Sequence, residues 1–391
     1  RLVSDWSSDV CSSDLGTLEA GAVDMIDLGF LGGGQLARMS ILAAHRMGLR
    51  CMSLDPAADS PSSQVAPAIE GQLADPEAVA TLIRQCRRLT LENEFIPADA
   101  LRDAFHLAKR DPADLIPGLD TLATIQDKLL QREALMRSGV PSPEARALDP
   151  GAAWPEAPVV LKARFGGYDG KGTRYARTAE EWETNTAYLP QHGWLVEGFV
   201  PFVRELAVMV YRSPLATGAF PVMETVQTHH VCDLVYPAPS STPSERAREV
   251  AIAAVEAVAG YGLFGVELFE CSDGQILVNE IAPRPHNTGH YTLDWGGVSQ
   301  FEQHVRLAMG WMPDQPQGGE VCMANLLGQS GAGDVRTAIA AAISEPGIHV
   351  HWYGKAEAKL GRKMGHLNAV GPDAVRRAIE GRERFYRAWT S

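Results

Sequence analysis

Two glutamates stand at equal distances on either side of a predicted hairpin turn. Asp273-Gly274 is the dipeptide most typical of a two-residue turn, and such a turn makes Glu267 and Glu280 cross-strand partners. Facing carboxylates repel each other unless a cation lies between them, and carboxylate oxygens are ligands that Mg²⁺ prefers. The spacing therefore predicts a Mg²⁺ site. The alternatives are a turn that differs by one residue, which breaks the register, or two acids solvated on an outer face.

A glycine-rich segment has the composition of a loop that covers polyphosphate. Lys162 ends an apolar strand, and the sequence FGGYDGKG follows at residues 165–172. Glycines let backbone amides approach phosphate oxygens, and lysines neutralise the charge that develops on phosphoryl transfer. The segment is not a Walker A motif, because no Gly-Lys-Ser/Thr opens a helix after it. The alternative is a hairpin tip with solvated lysines.

Polar groups also cluster directly after the second strand of the predicted hairpin. Residues 279–287 (NEIAPRPHN) bring an acid, an arginine, a histidine and two amides together among apolar residues, which indicates a cleft. Arg284 can hold a small oxyanion through two parallel hydrogen bonds. Residues 351–355 (HWYGK) and 361–366 (GRKMGH) form a later basic group. Phosphate is its expected target, and a solvated basic loop is the alternative.

A second glycine motif, near the start of the chain, supports a different function. Gly32-x-Gly34-x-x-Ala37 matches the dinucleotide-binding fingerprint, and Asp55 follows where an acid would bind a ribose hydroxyl. An NAD-dependent oxidoreductase is therefore an alternative function. The turn alone indicates only a phosphate or carboxylate near a helix N-terminus.

Strands and helices alternate between these motifs. A strand over 26–31, a helix over 35–47 and a strand over 49–54 predict a βαβ unit, and hence an α/β domain with a largely parallel sheet. The further predicted helices cover 75–87, 126–138 and 242–260, the last with a capping box at Thr242. The further predicted strands cover 89–91, 159–162, 194–197, 205–211, 218–224, 265–269 and 275–281.

The composition excludes several classes of protein. The length of 391 residues suits two or three domains. A net charge of −13, from 35 basic and 48 acidic residues, argues against a nucleic-acid binder. No apolar run approaches the roughly 18 to 20 residues that a membrane span needs, so we expect no membrane protein.

Cysteine and histidine spacing argues against a zinc site. The six cysteines lack metal-ligand spacing, so we expect no disulfide, no zinc and a reducing cytoplasm. The pair His229-His230 is more typical of a polar surface, because nothing nearby completes a ligand set.

Residues 1–24 differ in character from the rest of the chain. They repeat Ser-Asp around single apolar residues and fit neither a signal peptide nor a transit peptide. We expect this segment to be a non-native tail, with Met25 as the native start.

The motifs together resemble the ATP-grasp superfamily and, within it, the N5-carboxyaminoimidazole ribonucleotide synthetase family. The similarity covers roughly residues 26–370 and rests on GGGQLARM at 32–39, LDP at 54–56, QDK at 126–128, GGYDGKG at 166–172, NEIAPRPHNTGH at 279–290, SQFEQH at 299–304, HWYGK and GRKMGH. It implies an α/β and α+β chain with an N-terminal Rossmann-like (pre-ATP-grasp) domain over 25–119, a linker helix and small lid domain over 120–193, and a C-terminal antiparallel-sheet domain over 194–391. The implied reaction is the ATP-dependent carboxylation of 5-aminoimidazole ribonucleotide with bicarbonate, through carboxyphosphate, by a homodimer that uses Mg²⁺.

The resemblance also assigns roles to residues. The positions similar to ATP-binding residues are Lys128, Lys162, Gly167, Gly170, Lys171, Gly172, Glu197, Val200, Glu205, Gln227, Asn279 and Glu280. The positions similar to ribonucleotide-binding residues are Gln35, Glu92, Glu94, Tyr168, Asp169, Lys355 and Arg362. Catalysis is expected in the bicarbonate region, which comprises Arg284, His286 and Asn287, and the expected Mg²⁺ ligands are Glu267 and Glu280.

Two positions depart from the family pattern. Gln227 stands where the family usually has histidine in its stretch ENVHRDG, and Phe95 replaces asparagine in FEFENVP. These departures affect the expected edge of the adenine pocket and a contact of the first domain, but not the expected metal or lid residues. We expect an active enzyme; a nucleotide-binding protein that has lost catalysis is a further alternative.

Overall fold

The computed structural model describes residues 25–167, 170–190, 193–331 and 333–390. Its N-terminal part is a parallel sheet with the strand order β3-β2-β1-β4-β5. The strands are β1 (Ile26–Leu31), β2 (Cys51–Asp55), β3 (Ala68–Glu70), β4 (Cys86–Leu91) and β5 (Leu115–Ile116), and the helices are α1 (Gln35–Arg46), α2 (Pro76–Gln85) and α3 (Ala98–Ala108). The parallel sheet and the βαβ unit are confirmed.

Local sequence signals explain these elements well. Strand β1 buries Leu28, Phe30 and Leu31 completely, as expected for a central parallel strand. Helix α2 begins where Asp75 accepts a hydrogen bond from the Glu77 amide and proline takes the first helical position.

A four-stranded antiparallel sheet forms the small domain that follows. The strand order is β6-β9-β7-β8. The strands are β6 (Ala145–Ala147), β7 (Val159–Ala163), β8 (Thr173–Ala176) and β9 (Trp194–Gly198), and the helices of this region are α4 (Leu119–Gln126), α5 (Lys128–Arg137) and α6 (Ala179–Thr186). Because β9 pairs with β7, this sheet extends beyond the predicted boundary at residue 193. The single helix predicted over 126–138 begins later, because Asp127 ends α4 and caps α5 by accepting from the Leu129 amide.

The C-terminal sheet has the order β15-β14-β10-β12-β13-β16-β18-β17, with β11 beside β10. Its strands are β10 (Phe202–Arg212), β11 (Thr217–Ala219), β12 (Met223–Thr228), β13 (Val231–Pro237), β14 (Gly262–Cys271), β15 (Ile276–Ala282), β16 (Val321–Leu327), β17 (Ile348–Trp352) and β18 (Lys363–Val370). The helices are α7 (Ser244–Ala257), α8 (Gln300–Ala308), α9 (Val335–Ala342) and α10 (Ala374–Trp389).

Two predictions for this region are wrong. The strand predicted over 218–224 is divided between β11 and β12, and Pro221, which lacks an amide hydrogen for the ladder, lies between them. The capping box predicted at Thr242 does not form, because Pro243 is the N-cap residue and the Thr242 hydroxyl donates to Glu270 Oε2 at 3.0 Å instead.

Helix α7 packs on one face of the large sheet, where the alternate residues of β10, β14 and β15 supply the core. Leu206, Val208 and Val266 are among the fully buried side chains of this layer. Among the described residues, no helix has the length and apolar character needed to cross a membrane.

Candidate active site

The two glutamates of the predicted acid pair do face each other across β14 and β15. The hairpin reaches this register in an unexpected way. Its turn is one residue longer than predicted, so that Glu270 pairs with Ile276 and Leu268 with Val278. A β-bulge at Asn279 then shifts the ladder by one residue and restores the pairing of Glu267 with Glu280.

Burial and like charge make Glu267 the less stable anion of the pair. Burial, together with the charges of Glu280 and Glu205, raises the pKa of Glu267 to about 7. Burial also acts on Glu280, but Lys128 Nζ lies 2.6 Å from its Oε1 and lowers the pKa of Glu280 below its usual range. Lys128 therefore neutralises only one of the two carboxylates, and a divalent cation between them would neutralise the other.

The negative charge of a third acid of the site, Glu197 on β9, is fully compensated. Arg132 Nε lies 2.7 Å from its Oε1, and Lys162 Nζ lies 2.7 Å from its Oε2. Burial would raise the pKa of Glu197, but the two cations outweigh it and lower this pKa to about 2. Lys162 also donates to Asn279 Oδ1 at 3.2 Å, so the bulge residue joins the lysine to the acid pair.

Sequence reasoning missed Arg132, although a signal for it existed. Arg132 follows Lys128 by four residues on α5, and residues at this spacing share a helix face. Its guanidinium also donates to the carbonyls of Val278 and Asn279 at 2.9 and 2.6 Å, which holds α5 against the acid-bearing strand.

The glycine-rich loop begins beside α5. The Lys128 amide donates to the Arg164 carbonyl at 3.0 Å, and the Arg164 guanidinium pairs with Asp127. Gly170 has a φ of +74°, which favours glycine, and a Cβ atom at Gly167 would lie 2.9 Å from the Lys171 carbonyl oxygen. The loop therefore requires its glycines for its own conformation. The predicted substrate residues Tyr168 and Asp169 lie outside the described residues.

In the bicarbonate region, the predicted catalytic residues have partners from other parts of the fold. The Arg284 guanidinium forms a two-bond ion pair with Glu94, which lies 190 residues earlier in the chain. His286 Nε2 lies 3.8 Å from Glu267 Oε1, and its Nδ1 is 2.9 Å from Thr288 Oγ1. Asn287 exchanges hydrogen bonds with Asn325 at 3.0 and 2.6 Å.

Burial and nearby cations keep His286 neutral. Burial, followed by the charges of Arg284 and Lys363, lowers the pKa of His286 to about 3. The charge of Lys363 also opposes the upward shift in the pKa of Glu267. Lys363 was not selected from the sequence, although it lies within the GRKMGH motif.

The N-terminus of α1 is surrounded by the protein's own carboxylates. Asp55 Oδ2 accepts from the Gly33 amide at 2.7 Å, and a Cβ atom at Gly34 would lie 2.2 Å from Glu92 Oε1. Burial raises the pKa of Glu92 to about 7. Gln35 is the first residue of α1. Because acids already surround this helix end, the structure disfavours a dinucleotide pyrophosphate there.

The two basic segments near the C-terminus form one loop around the end of β17 and the start of β18. Lys355 Nζ donates to the Lys363 carbonyl at 2.7 Å, and Arg362 donates to the Glu357 carbonyl at 3.3 Å. Gln64 donates to the Gly354 carbonyl at 2.6 Å and so ties this loop to the N-terminal sheet domain.

The remaining ATP-binding candidates lie between the two antiparallel sheets. Val200 is in the connection from β9 to β10, and Glu205 is on β10. A hydrogen bond from Gln227 lowers the pKa of Glu205, but burial outweighs it and the net shift is upward. Of the two departures from the family pattern, Gln227 thus has a polar partner, whereas Phe95 is 47% exposed.

Three family models match successive parts of the chain. The ribonucleotide synthetase preATP-grasp domain matches residues 25–126, the ATP-grasp domain matches 142–301, and the phosphoribosylaminoimidazole carboxylase C-terminal domain matches 321–379. These matches agree with the sheets described above and define an ATP-grasp fold.

Comparison with named relatives shows which family of ATP-grasp proteins this chain resembles. The phosphoribosylaminoimidazole carboxylase of Schizosaccharomyces pombe is 38% identical over 88% of this chain, and this chain spans 64% of its length. The N5-carboxyaminoimidazole ribonucleotide synthase of Synechococcus elongatus is 39% identical over 87% of this chain and 88% of its own length. The structure of the Aspergillus clavatus N5-carboxyaminoimidazole synthase with ADP and 5-aminoimidazole ribonucleotide is 30% identical, with a TM-score of 0.82 over 93% of this chain and 99% of that one. The chain belongs to the N5-carboxyaminoimidazole ribonucleotide synthase family.

Proposed function

We propose that this protein carboxylates 5-aminoimidazole ribonucleotide with bicarbonate, at the expense of ATP, to give N5-carboxyaminoimidazole ribonucleotide in purine biosynthesis. The observation that carries the proposal is the pairing of Glu267 with Glu280 beside Lys128 and Lys162, at the base of a glycine-rich loop. The names of the relatives support the choice of reaction.

The acid pair fits a magnesium ion. Two carboxylates face each other, and the pKa of Glu267 is raised to about 7 partly by the charge of Glu280, so a cation between them would relieve a repulsion already present. Glu267 and Glu280 would hold the ion, which supplies charge neutralisation on the polyphosphate when bound. Lys128 and Lys162, which lie beside this pair, would bind phosphate oxygens.

The first chemical step is phosphoryl transfer. A bicarbonate oxygen attacks the γ-phosphorus of ATP, the bond to the β-phosphate oxygen breaks, and carboxyphosphate and ADP form. Arg284, which is already fixed by Glu94, would hold the bicarbonate oxygens. The neutral imidazole of His286 beside Glu267 would accept a hydrogen bond from the bicarbonate hydroxyl.

The second step transfers the carboxyl group. The exocyclic amine of the ribonucleotide attacks the carboxyl carbon of carboxyphosphate, or CO₂ released from it; phosphate leaves and the amine loses a proton. Carboxyphosphate hydrolyses readily, so a loop that excludes water is required. We assign this role to residues 165–172, and ribonucleotide binding to Gln35, Glu92, Glu94, Lys355 and Arg362.

The proposal is tested by ADP release in the presence of MgATP and bicarbonate, with and without 5-aminoimidazole ribonucleotide. ADP formation that depends on the ribonucleotide, with formation of the carboxylated product, is the expected result. Binding of ATP without turnover would instead support the nucleotide-binding protein that has lost catalysis. Tight NADH binding without ADP formation would support the oxidoreductase.

We further propose a homodimer that works in the cytoplasm, with the predicted domains over 25–119, 120–193 and 194–391, except that β9 (Trp194–Gly198) belongs to the second domain. The buried thiols of Cys51, Cys86 and Cys232 are free, which suits a reducing compartment. Light scattering at micromolar concentration tests the dimer: a mass near 84 kDa, twice the 42.2 kDa of the chain, is expected, and a mass near 42.2 kDa would contradict it.

A further inference from the structure

The hairpin between β12 and β13 has an unusual tip. Its two turn residues, His229 and His230, have φ values of +51° and +63°, in the left-handed region that glycine and asparagine adopt most readily. Two neighbouring residues with full side chains in this conformation store strain, which persists only where surrounding contacts hold it. The sequence alone gave these histidines no role.

The contacts of His230 lie on the small domain. Its ring stacks on the ring of Tyr175 in β8, with centroids 6.1 Å apart and planes inclined by 19°. A Cβ atom at Gly170 would lie only 2.7 Å from the His230 Cβ atom, so the glycine-rich loop passes directly over the hairpin tip. His230 therefore touches the small domain at two places, the loop and the strand that follows it.

The same contacts continue toward the predicted ATP-binding residues Val200 and Glu205. Tyr175 meets Phe199 edge-on at 6.5 Å, and the Arg177 guanidinium lies 5.6 Å from the first ring and 5.9 Å from the second. Phe199 lies in the connection that also contains Val200. Close to its tip, the hairpin carries Gln227, whose side chain hydrogen-bonds Glu205.

We propose that His230 is a positioning residue that holds the glycine-rich loop and β8 against the large sheet, over the bound nucleotide. The proposal rests on the proposed function in one respect, namely that this loop covers ATP. It predicts that loss of the His230 ring loosens the loop and exposes the reactive intermediate to water.

The neighbouring histidine provides a matched control. His230→Gly and His229→Gly both relieve a left-handed histidine in the same turn, but only His230 stacks on Tyr175. The KM for ATP should rise about threefold to tenfold in His230→Gly, the range that corresponds to a lost aromatic pair, and stay within about twofold of wild type in His229→Gly. The ratio of ADP formed to carboxylated product should rise above one only in His230→Gly.

A readout that does not depend on the carboxylation reaction separates this proposal from the proposed function. MgATP should slow trypsin cleavage within residues 164–177 of the wild-type and His229→Gly proteins, and this protection should be weaker in His230→Gly. In a double-mutant cycle with Tyr175→Ala, the two effects on protection should be less than additive. The inference is overturned if MgATP protects His230→Gly and His229→Gly equally from trypsin, even if the wild-type protein has no carboxylation activity. Intact protection without carboxylation would count against the proposed function alone.

Discussion

The acid pair on β14 and β15 and the N-terminus of α1 each contain a glutamate whose pKa is raised to about 7, chiefly because it has lost contact with solvent. The two regions differ in what surrounds that glutamate. Glu267 faces a second acid across the sheet, whereas the Glu92 carboxylate accepts hydrogen bonds from the Asn93 side chain at 3.2 Å and, at 3.4 Å, from the Leu36 amide. A raised pKa therefore marks burial in both regions, and the opposed acid, rather than the shift, indicates the cation site.

The largest expected effect is on turnover when the acid pair is broken. Glu280→Ala should lower kcat by about a hundredfold to a thousandfold, because a ligand for the cation that neutralises the polyphosphate is removed. Steady-state ADP release with the ribonucleotide measures the effect. Near-wild-type turnover in a folded Glu280→Ala protein would contradict the metal assignment. The acid pair would then be no more a cation site than the N-terminus of α1.

The next effect concerns Glu197, the acid whose charge Arg132 and Lys162 neutralise. Arg132→Met leaves Glu197 buried with Lys162 as its remaining cation, and should lower the free energy of unfolding by about 3 kcal/mol. Urea unfolding followed by tryptophan fluorescence measures this. If the variant unfolds at the wild-type midpoint, Glu197 does not depend on Arg132.

A smaller effect is expected at α1, where two glycines allow a matched comparison. Gly34 and Gly118 are both helix N-cap residues with extended backbone, at φ −72° and −68°. A Cβ atom added at Gly34 would collide with the Glu92 side chain, whereas a Cβ atom added at Gly118 would have no neighbouring atom within 4 Å. Gly34→Ala should lower the free energy of unfolding by about 2 kcal/mol more than Gly118→Ala does. Equal losses would show that Glu92 is not fixed over the helix end.

The last effect, similar in size for each group to that at α1, is the pH dependence of stability, and it separates the two glutamates. Each has a folded pKa of about 7 against an ordinary value of 4.5, so the folded state binds the proton more tightly. The contribution is complete below pH 4.5 and is lost as the pH rises to about 7, with a size on the order of 2 kcal/mol for each group.

Magnesium should act on only one of these contributions. Saturating MgCl₂ should remove the pH-dependent loss due to Glu267 and leave the loss due to Glu92, which Glu92→Gln removes instead. Urea unfolding between about pH 5 and 7, with and without MgCl₂, measures both. An equal pH dependence with and without MgCl₂ in wild type and in Glu92→Gln would contradict the distinction.

Much of the fold was predictable because its signals are local. The βαβ unit follows from apolar runs on either side of Gly32–Gly34, and α2 from Asp75 and Pro76. The cross-strand pairing of Glu267 with Glu280 was predicted correctly, but the turn was not. The turn is one residue longer than predicted, and the bulge at Asn279 restores the register of the pair. The bulge lies against α5, where Arg132 donates to the Asn279 carbonyl at 2.6 Å, and no hairpin motif encodes that contact.

Contacts between distant segments are the part of the site that could not be predicted from the sequence. Glu94 binds Arg284 and Gln64 binds Gly354, across 190 and 290 residues, and no local pattern relates these positions. Their pairing follows from the docking of the N-terminal sheet domain on segments that follow β15 and β17 of the C-terminal sheet. Resemblance to a family indicated that both segments serve one site, without giving the partners.

A crystal structure with Mg²⁺ and a non-hydrolysable ATP analogue tests the central claim most directly. The account predicts the ion between Glu267 and Glu280, phosphate oxygens on Lys128 and Lys162, and residues 165–172 closed over the triphosphate. A nucleotide bound elsewhere, or an ion that contacts neither glutamate, would contradict it.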